Sequence, residues 1–335
     1  MGRLTKVEDL SFGRGILTFA PFDANGVLMG ERDLGEVDSF ALSGEVERIT
    51  KYSSRTGTST VILDAIIRVT LSGTLNMLDM SLENQALFLA ASVSTKTQAA
   101  TPIINERIYN AETNRYYQLG ESDSNPGGVR VVTSVTIGVY ELVNAAARAD
   151  STAYTVGQIF KSTTNVFLVT TAGTSAGSAP SFVTTSVGSA TTDGTAVVKF
   201  IGTTGNYTVT TDYSLDSDIA KVGIVEDGAL GLACDLYFAT TGAYLSLNAG
   251  YTPAANSRKQ ARTDGSASIT GRLFFQSTAS IGTKKHVLIS SASLGASGES
   301  QYITADDTQA FQLSIGVNSK NDTVPQILVD GVPYT

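Results

Sequence analysis

The sequence predicts a mainly antiparallel β chain with one short α-helix and a small inserted all-β module. Three observations carry that expectation. Apolar and polar residues alternate along most long segments, a single segment has helical spacing, and the stretch 151–203 holds only three charged residues, Lys161, Asp193 and Lys199. The chain has 335 residues, enough for two domains at about 100–200 residues each.

In order along the chain, Phe40, Leu42 and Val46 fall on one face of segment 40–47, with Ser43, Glu45 and Glu47 on the other. Residues 49–60 read as a polar hairpin connection bearing Lys51, Arg55 and Gly57. In 61–71 the odd positions Val61, Leu63, Ala65, Ile67, Val69 and Leu71 form an apolar face, expected to lie on a core. Asp64, Arg68 and Thr70 take the other, facing solvent or a partner. Leu82, Ala86 and Leu89 recur at helical spacing behind Ser81, a candidate N-cap, with Glu83 favourable near the helix N-terminus. Residues 92–128 read as a long polar loop with a weak strand signal near 103–108, and 129–139 as a second long strand.

After an Ala-rich linker at 144–150, short strands are expected at 156–161, 166–171 and 196–201, forming a module that loops out of its parent domain. Strands then resume at 207–211, 221–225, 232–238, 266–275, 284–293 and 311–317. The parent domain is thus expected to comprise residues 1–147 and 204–335, with 148–203 as the insert.

Composition removes several function classes. Apolar residues make up 42% and charged ones only 16%, against about 25% in average soluble proteins. The net charge of −8 disfavours a grip on nucleic acid through phosphates, which needs clustered cations. One cysteine, Cys234, permits no internal disulfide, and one histidine, His286, permits no two-histidine site. The opening residues lack a signal-peptide pattern, and the uncharged run 162–192 is too polar to span a membrane, so a soluble, cytoplasmically made chain is expected.

No segment carries a complete catalytic or metal-binding motif. Residues 173–177 match Gly-x-Ser-x-Gly, but no helical pattern follows and only His286 could act as base, so catalysis at Ser175 is not expected. The oxygen-rich run 121–125 lacks the glycine and closing glutamate of a calcium loop, and Asp212, Asp216 and Asp218 read as turn residues. His286 reads as a surface residue at a strand start, and Cys234 as a small buried hydrophobe.

Charge order says more. Glu31, Asp33, Glu36, Asp38, Glu45 and Glu47 precede a basic run of Arg48, Lys51 and Arg55. Two accounts stand open: a solvated hairpin whose charges cancel, or a self-complementary surface where one copy's basic loop meets another's acidic strand.

Several stretches, in this order, resemble the major tail tube protein of long-tailed, non-contractile bacteriophages. They are Gly-Arg-Gly-Ile-Leu-Thr-Phe at 13–19, the strand and basic Ser-rich loop at 45–57, the strand 65–73 followed by the lone helix, and the Tyr-rich return at 207–225. The closing strands at 267–307, ending in Asp306 and Asp307, complete the series. The resemblance implies a tail-tube-type β-sandwich or barrel of two antiparallel sheets with one helix, assembled as hexameric rings stacked into a conduit for DNA ejection. It implies a non-enzymatic virion protein, assembled in the host bacterial cytoplasm, with no cofactor or metal and no membrane insertion. Its partners would be copies of itself, a tape measure protein, tail-end proteins and passing double-stranded DNA. On this reading Asp33, Glu36, Asp38, Arg48, Lys51 and Arg55 serve stacking, while Glu45 and Glu47 face the lumen. The alternative is a glycan-binding or capsid-decoration β protein of the virion surface, with Tyr154, Phe160 and Phe182 of the insert as a stacking face. A hydrolase at Ser175 is a third reading.

Overall fold

The structure is a computed structural model describing residues 13–55, 59–263, 269–278, 284–303, 305, 308–320 and 323–332. Gly57, Asp306, Asp307 and the segments 1–12 and 266–268 lie outside the described residues. The fold is mainly β, and its contacts divide it into two compact units, Met1–Lys96 with Lys259–Thr335, and Thr97–Arg258.

The first unit is built on an eight-stranded antiparallel sheet. Its strands run in the order Arg32–Asp33, Gly15–Pro21, Ile269–Ser277, Lys284–Ser300, Phe311–Val317, Val61–Met77, Val37–Tyr52, and Ile327–Val332 pairs with the first half of Lys284–Ser300. Period-2 alternation sets its buried face: Leu17 and Phe19, Leu273, and Phe311, Leu313 and Ile315 all turn into one core with Leu75 and Met77. Helix α1 (Leu82–Leu89) lays Leu87 on that core and sets Phe88 edge-on to Phe311, ring centroids 5.6 Å apart. Ser81 holds the N-cap position without a side-chain capping bond. The helix is anchored by Asn84, fully buried, whose amide donates to the carbonyls of Leu34 and Asp79 and accepts from Arg32 at 2.7 Å.

The second unit has three larger sheets and the two-stranded pair Ala153–Tyr154 with Gly173–Thr174, around a core of its own. Ile103–Ala111, Leu245–Tyr251 and Val135–Val139 form one, and Tyr213–Asp216, Lys221–Ile224 and Tyr116–Gln118 another. The third runs Ala190–Asp193, Ala196–Thr203, Asn165–Thr171, Ile159–Ser162, Ala146–Ala147, the last pair parallel. Residues 92–128 are therefore no loop: they hold Ser92–Gln98, Ile103–Ala111 and Tyr116–Gln118. Only Val135–Val139 of the expected strand 129–139 is extended in a sheet, because Val131 takes a left-handed φ of 56°. Likewise Thr210, at φ 71°, interrupts 207–211, and the strand starts at Tyr213.

The described residues contain three helices rather than one. The four-residue α2 (Tyr140–Val143) is short, but α3 (Ala229–Thr241) is long and overturns the strand expected at 232–238. It starts at Gly228 and ends at Gly242, whose left-handed φ of 70° a residue without Cβ adopts most easily. Leu230, Ala233 and Cys234 are buried beneath it, and burial, with Asp235 and Glu141 nearby, pushes the Cys234 thiol up to about 12.

The five-stranded sheet is buried on both faces. Val166, Leu168 and Ile201 join the unit's main core with α3, while Phe167, Val169, Val198 and Phe200 turn the other way around Phe160. Thus the expected boundaries at 147/148 and 203/204 fall inside one unit, and the module does not loop out of it. Its charged staple is Arg148, which holds Asp193 through two bonds of 2.7 Å, both side chains almost wholly buried. Asp193 also accepts from the Ala176 N–H, and Arg148 donates to the Ala176 carbonyl. Burial alone would raise the Asp193 carboxyl, yet these bonds and the Arg148 charge outweigh it and hold it below its ordinary 3.8.

Substituting these buried polar groups should have opposite effects on stability. Arg148→Ala, which strands the Asp193 carboxylate, should destabilise the second unit by about 3–5 kcal/mol in urea unfolding. Because the folded carboxyl titrates lower, its contribution holds above the unfolded value and is lost as pH falls below it, so Asp193→Asn should approach wild type in acid. Conversely, the Tyr207 hydroxyl is buried without a hydrogen-bond partner among the described residues, so Tyr207→Phe should be neutral or stabilising by up to about 1 kcal/mol.

Candidate assembly interface

The site is the hairpin formed by Val37–Tyr52 and Val61–Met77 at one end of the first unit's sheet. The strand reaches Tyr52, so much of the expected connection 49–60 is itself ladder. Directly opposed residues share a face, which sorts the hairpin side chain by side chain. Phe40 opposes Leu75, Leu42 opposes Gly73, Gly44 opposes Leu71 and Val46 opposes Val69, so the core-facing side runs outward without a break. At Glu47/Arg48 the strand Val61–Met77 carries an extra residue, Ile67, so along Val37–Tyr52 that side continues through Arg48 and Thr50, while Ile49 against Ala65 and Lys51 against Leu63 fall on the other.

This apolar face has no core beneath it. Val46 is 47% exposed, Ile67 57% and Val69 56%, so the expectation that 61–71 packs on a core is overturned. The reason is geometric: the hairpin extends past the strands that could cover it, since Phe311–Val317 pairs only with positions 72–77. A long apolar stripe on one side of a two-stranded ribbon makes this hairpin the candidate interaction surface. Along the ribbon's outer edge, Val37–Tyr52 also pairs with no further strand among the described residues, presenting the open backbone that sheets normally protect.

The opposite face is polar. It carries Ser43 with its hydroxyl 2.9 Å from that of Ser72, and Glu45 opposite Thr70. Glu47 lies 3.7 Å from Arg68 on this face, whereas Arg48 binds Asp64 at 2.9 Å on the other, past the extra residue. Exposed pairs of this kind are worth about 0–1 kcal/mol; here they mark register across the irregularity. Of the two residues expected to face a lumen, Glu45 is exposed, and Glu47 is exposed but matched to a cation.

The acidic and basic groups sit at opposite ends. Asp33, on the short strand beside Gly15–Pro21, accepts from the Gly35 N–H, and Asp38, at the hairpin base, from the Asn76 amide, while Lys51 and Arg55 stand at the hairpin tip. Thirteen residues separate Asp38 from Lys51, roughly 40 Å at about 3.3 Å per residue. They cannot meet within one chain. Glu36 and Asp38 border an open cleft of about 880 Å³ floored by Leu17, Phe40 and Phe275.

The remaining singled-out residues go to structure. Phe160 is 1% exposed, its ring tilted against those of Phe167, Tyr154 and Phe182, and Tyr154 and Phe182 pack partly buried on that cluster. Ser175 is buried, donating to the Ala149 carbonyl at 2.7 Å and accepting from the Thr152 N–H. Asp216 accepts from the Asp218 and Ile219 N–H groups, and Asp212 from the Thr208 N–H, as turn residues do. Segment 121–125 closes through a Ser122–Asn125 bridge. His286 is a strand residue, its ring beside Phe274. No group of three potential metal-ligating side chains occurs among the described residues, and no described helix is long and apolar enough to cross a membrane.

No protein-family model matches the chain, and no curated protein is similar to it in sequence. Since Ile67 and Val69 are more than half exposed among the described residues, Ile67→Asp and Val69→Asp should each leave the chain's unfolding free energy within about 0.5 kcal/mol of wild type. Denaturant titration of the dispersed chain checks this.

Proposed function

We propose that the chain is a structural subunit that assembles with copies of itself, as rings stacked into a tail tube of the kind found in long-tailed phages. The observation that carries this reading is the uncovered apolar stripe on a hairpin that also ends its sheet. One copy's stripe and open edge find cover on the next copy, a head-to-tail contact that closes as a ring when the rotation divides a full turn. A ring of such sheets makes a barrel with the polar face inward. Exposed Glu45 would then line the lumen and repel DNA phosphates, while the tip cations Lys51 and Arg55 meet Asp33, Glu36 and Asp38 of another copy.

The residues also suit a subunit without chemistry of its own, since Ser175 and Asp193 are committed to the fold. Six copies per ring, a place in the virion tail, and neighbours such as a tape measure protein and tail-end proteins belong to the same proposal. So does transient, non-specific passage of double-stranded DNA.

Ile67→Asp should abolish assembly in sedimentation velocity and negative-stain electron microscopy, while Thr70→Asp on the polar face leaves it intact. The double variant Lys51→Glu with Arg55→Glu should also stay dispersed, and mixing it with a chain bearing Asp33→Lys, Glu36→Lys and Asp38→Lys should restore mixed assemblies. Unaltered assembly by Ile67→Asp and by the charge-reversed chain would overturn the proposal.

A further inference from the structure

We infer that the second unit carries a binding cleft for neutral glycans, centred on Tyr116 and independent of the assembly surface. Tyr116 is the opening residue of an edge strand and opposes Gly223 on the central strand, which in turn opposes Ser214. A Cβ on Gly223 would come within 2.6 Å of the tyrosine ring. The ring therefore lies against bare backbone, held on one side, yet Tyr116 remains 71% exposed. A fixed aromatic face open to water is the surface that the C–H side of a pyranose covers, and tyrosine offers it at little entropic cost.

The groups around the ring suit the hydroxyls of such a sugar. An open cleft of about 460 Å³ joins Tyr116 to Ser214, Arg115, Glu226 and Asp227. Convergent polar groups beside an apolar platform are the usual make-up of a small-ligand site. The Asn114 amide donates to Glu226 at 2.6 Å and fixes that carboxylate, while Asp227 and Ser214 border the same space. Charge selects the class of glycan. Two carboxylates face one guanidinium, and Arg115 already lies 3.5 Å from Glu112, so sulfated, phosphorylated or uronic chains would be repelled.

A second opening of about 370 Å³ lies on the far side of Asn114 and Arg115. There Phe238 and Tyr244 stack at 4.6 Å, both partly exposed, beside Asp235, which accepts from the Thr113 hydroxyl at 3.3 Å. Two clefts that share a wall and each pair aromatic surface with carboxylates point to an oligosaccharide rather than one sugar.

The test is saturation-transfer NMR of the full-length chain with maltohexaose, cellohexaose and N-acetylchitohexaose, and a heparin hexasaccharide as the anionic probe. The expected result is transfer to ring C–H protons of at least one neutral series and none to heparin. Tyr116→Ala should weaken that binding at least tenfold, Tyr116→Phe should retain it, and Tyr109→Ala, exposed outside the cleft, should leave it unchanged. Should Tyr116→Ala fail to fold, Asp227→Asn supplies the loss-of-binding variant. Absence of transfer to every neutral probe, preference for heparin, or transfer that survives loss of Tyr116 or Asp227 would overturn the inference. None of these outcomes depends on whether the chain forms tubes.

Discussion

A two-stranded ribbon cannot bury its own apolar face, and that constraint governs the first unit. Its hairpin keeps the alternation of a core strand for its whole length, but the neighbouring strand stops alongside positions 72–77. Past that point Val46, Ile67 and Val69 are exposed, outside the core that the described residues form. Exposed apolar area costs about 25 cal/mol per Å² relative to burial, so the ribbon holds binding free energy that folding of the single chain does not use. Its polar face is already matched by Glu47 beside Arg68 and by the Ser43–Ser72 hydroxyl pair.

The second unit solves its packing internally. Its module is a sheet buried on both faces, with Val166 and Leu168 on the main core and Phe167 and Val169 on an aromatic cluster. The Arg148–Asp193 pair closes the low-charge segment over itself, tying residue 148 to the strand end at 193 and to the Ala176 backbone. A segment rich in Ser, Thr and Gly gains little from hydrophobic burial per residue, and one well-bonded buried pair supplies specificity that its few large side chains cannot.

Much of this was legible in the residues, and the failures have physical causes. Phe311–Val317, with strict alternation, stood where period 2 placed it, and the continuous apolar run in Asn165–Thr171 also formed its expected strand. Helix α1 showed through Leu82, Ala86 and Leu89. Helix α3 did not, because Leu232-Ala233-Cys234 and Leu236-Tyr237-Phe238 are apolar on nearly every side and leave no stripe to detect; Gly228 and Gly242 at its ends were the available signal. Val131 and Thr210 broke expected strands through left-handed φ values that no side-chain pattern announces. The assembly surface was half legible. Charge order exposed its acidic base and basic tip, but alternation reads alike whether the apolar face meets a core or a partner, so the uncovered stripe emerged only from the register. The Tyr116 cleft was hidden for a similar reason, since Tyr116, Gly223 and Ser214 come from separate strands joined only by pairing.

The most direct measurement is electron paramagnetic resonance of a single spin label placed at position 67 or at position 70, in dispersed and concentrated protein. The account predicts that both labels are mobile in the dispersed chain, and that assembly immobilises the label at 67 while the label at 70 stays mobile. Labels that remain equally mobile at 67 and 70 in assembled particles would contradict the claim that the hairpin's apolar face is covered by another copy.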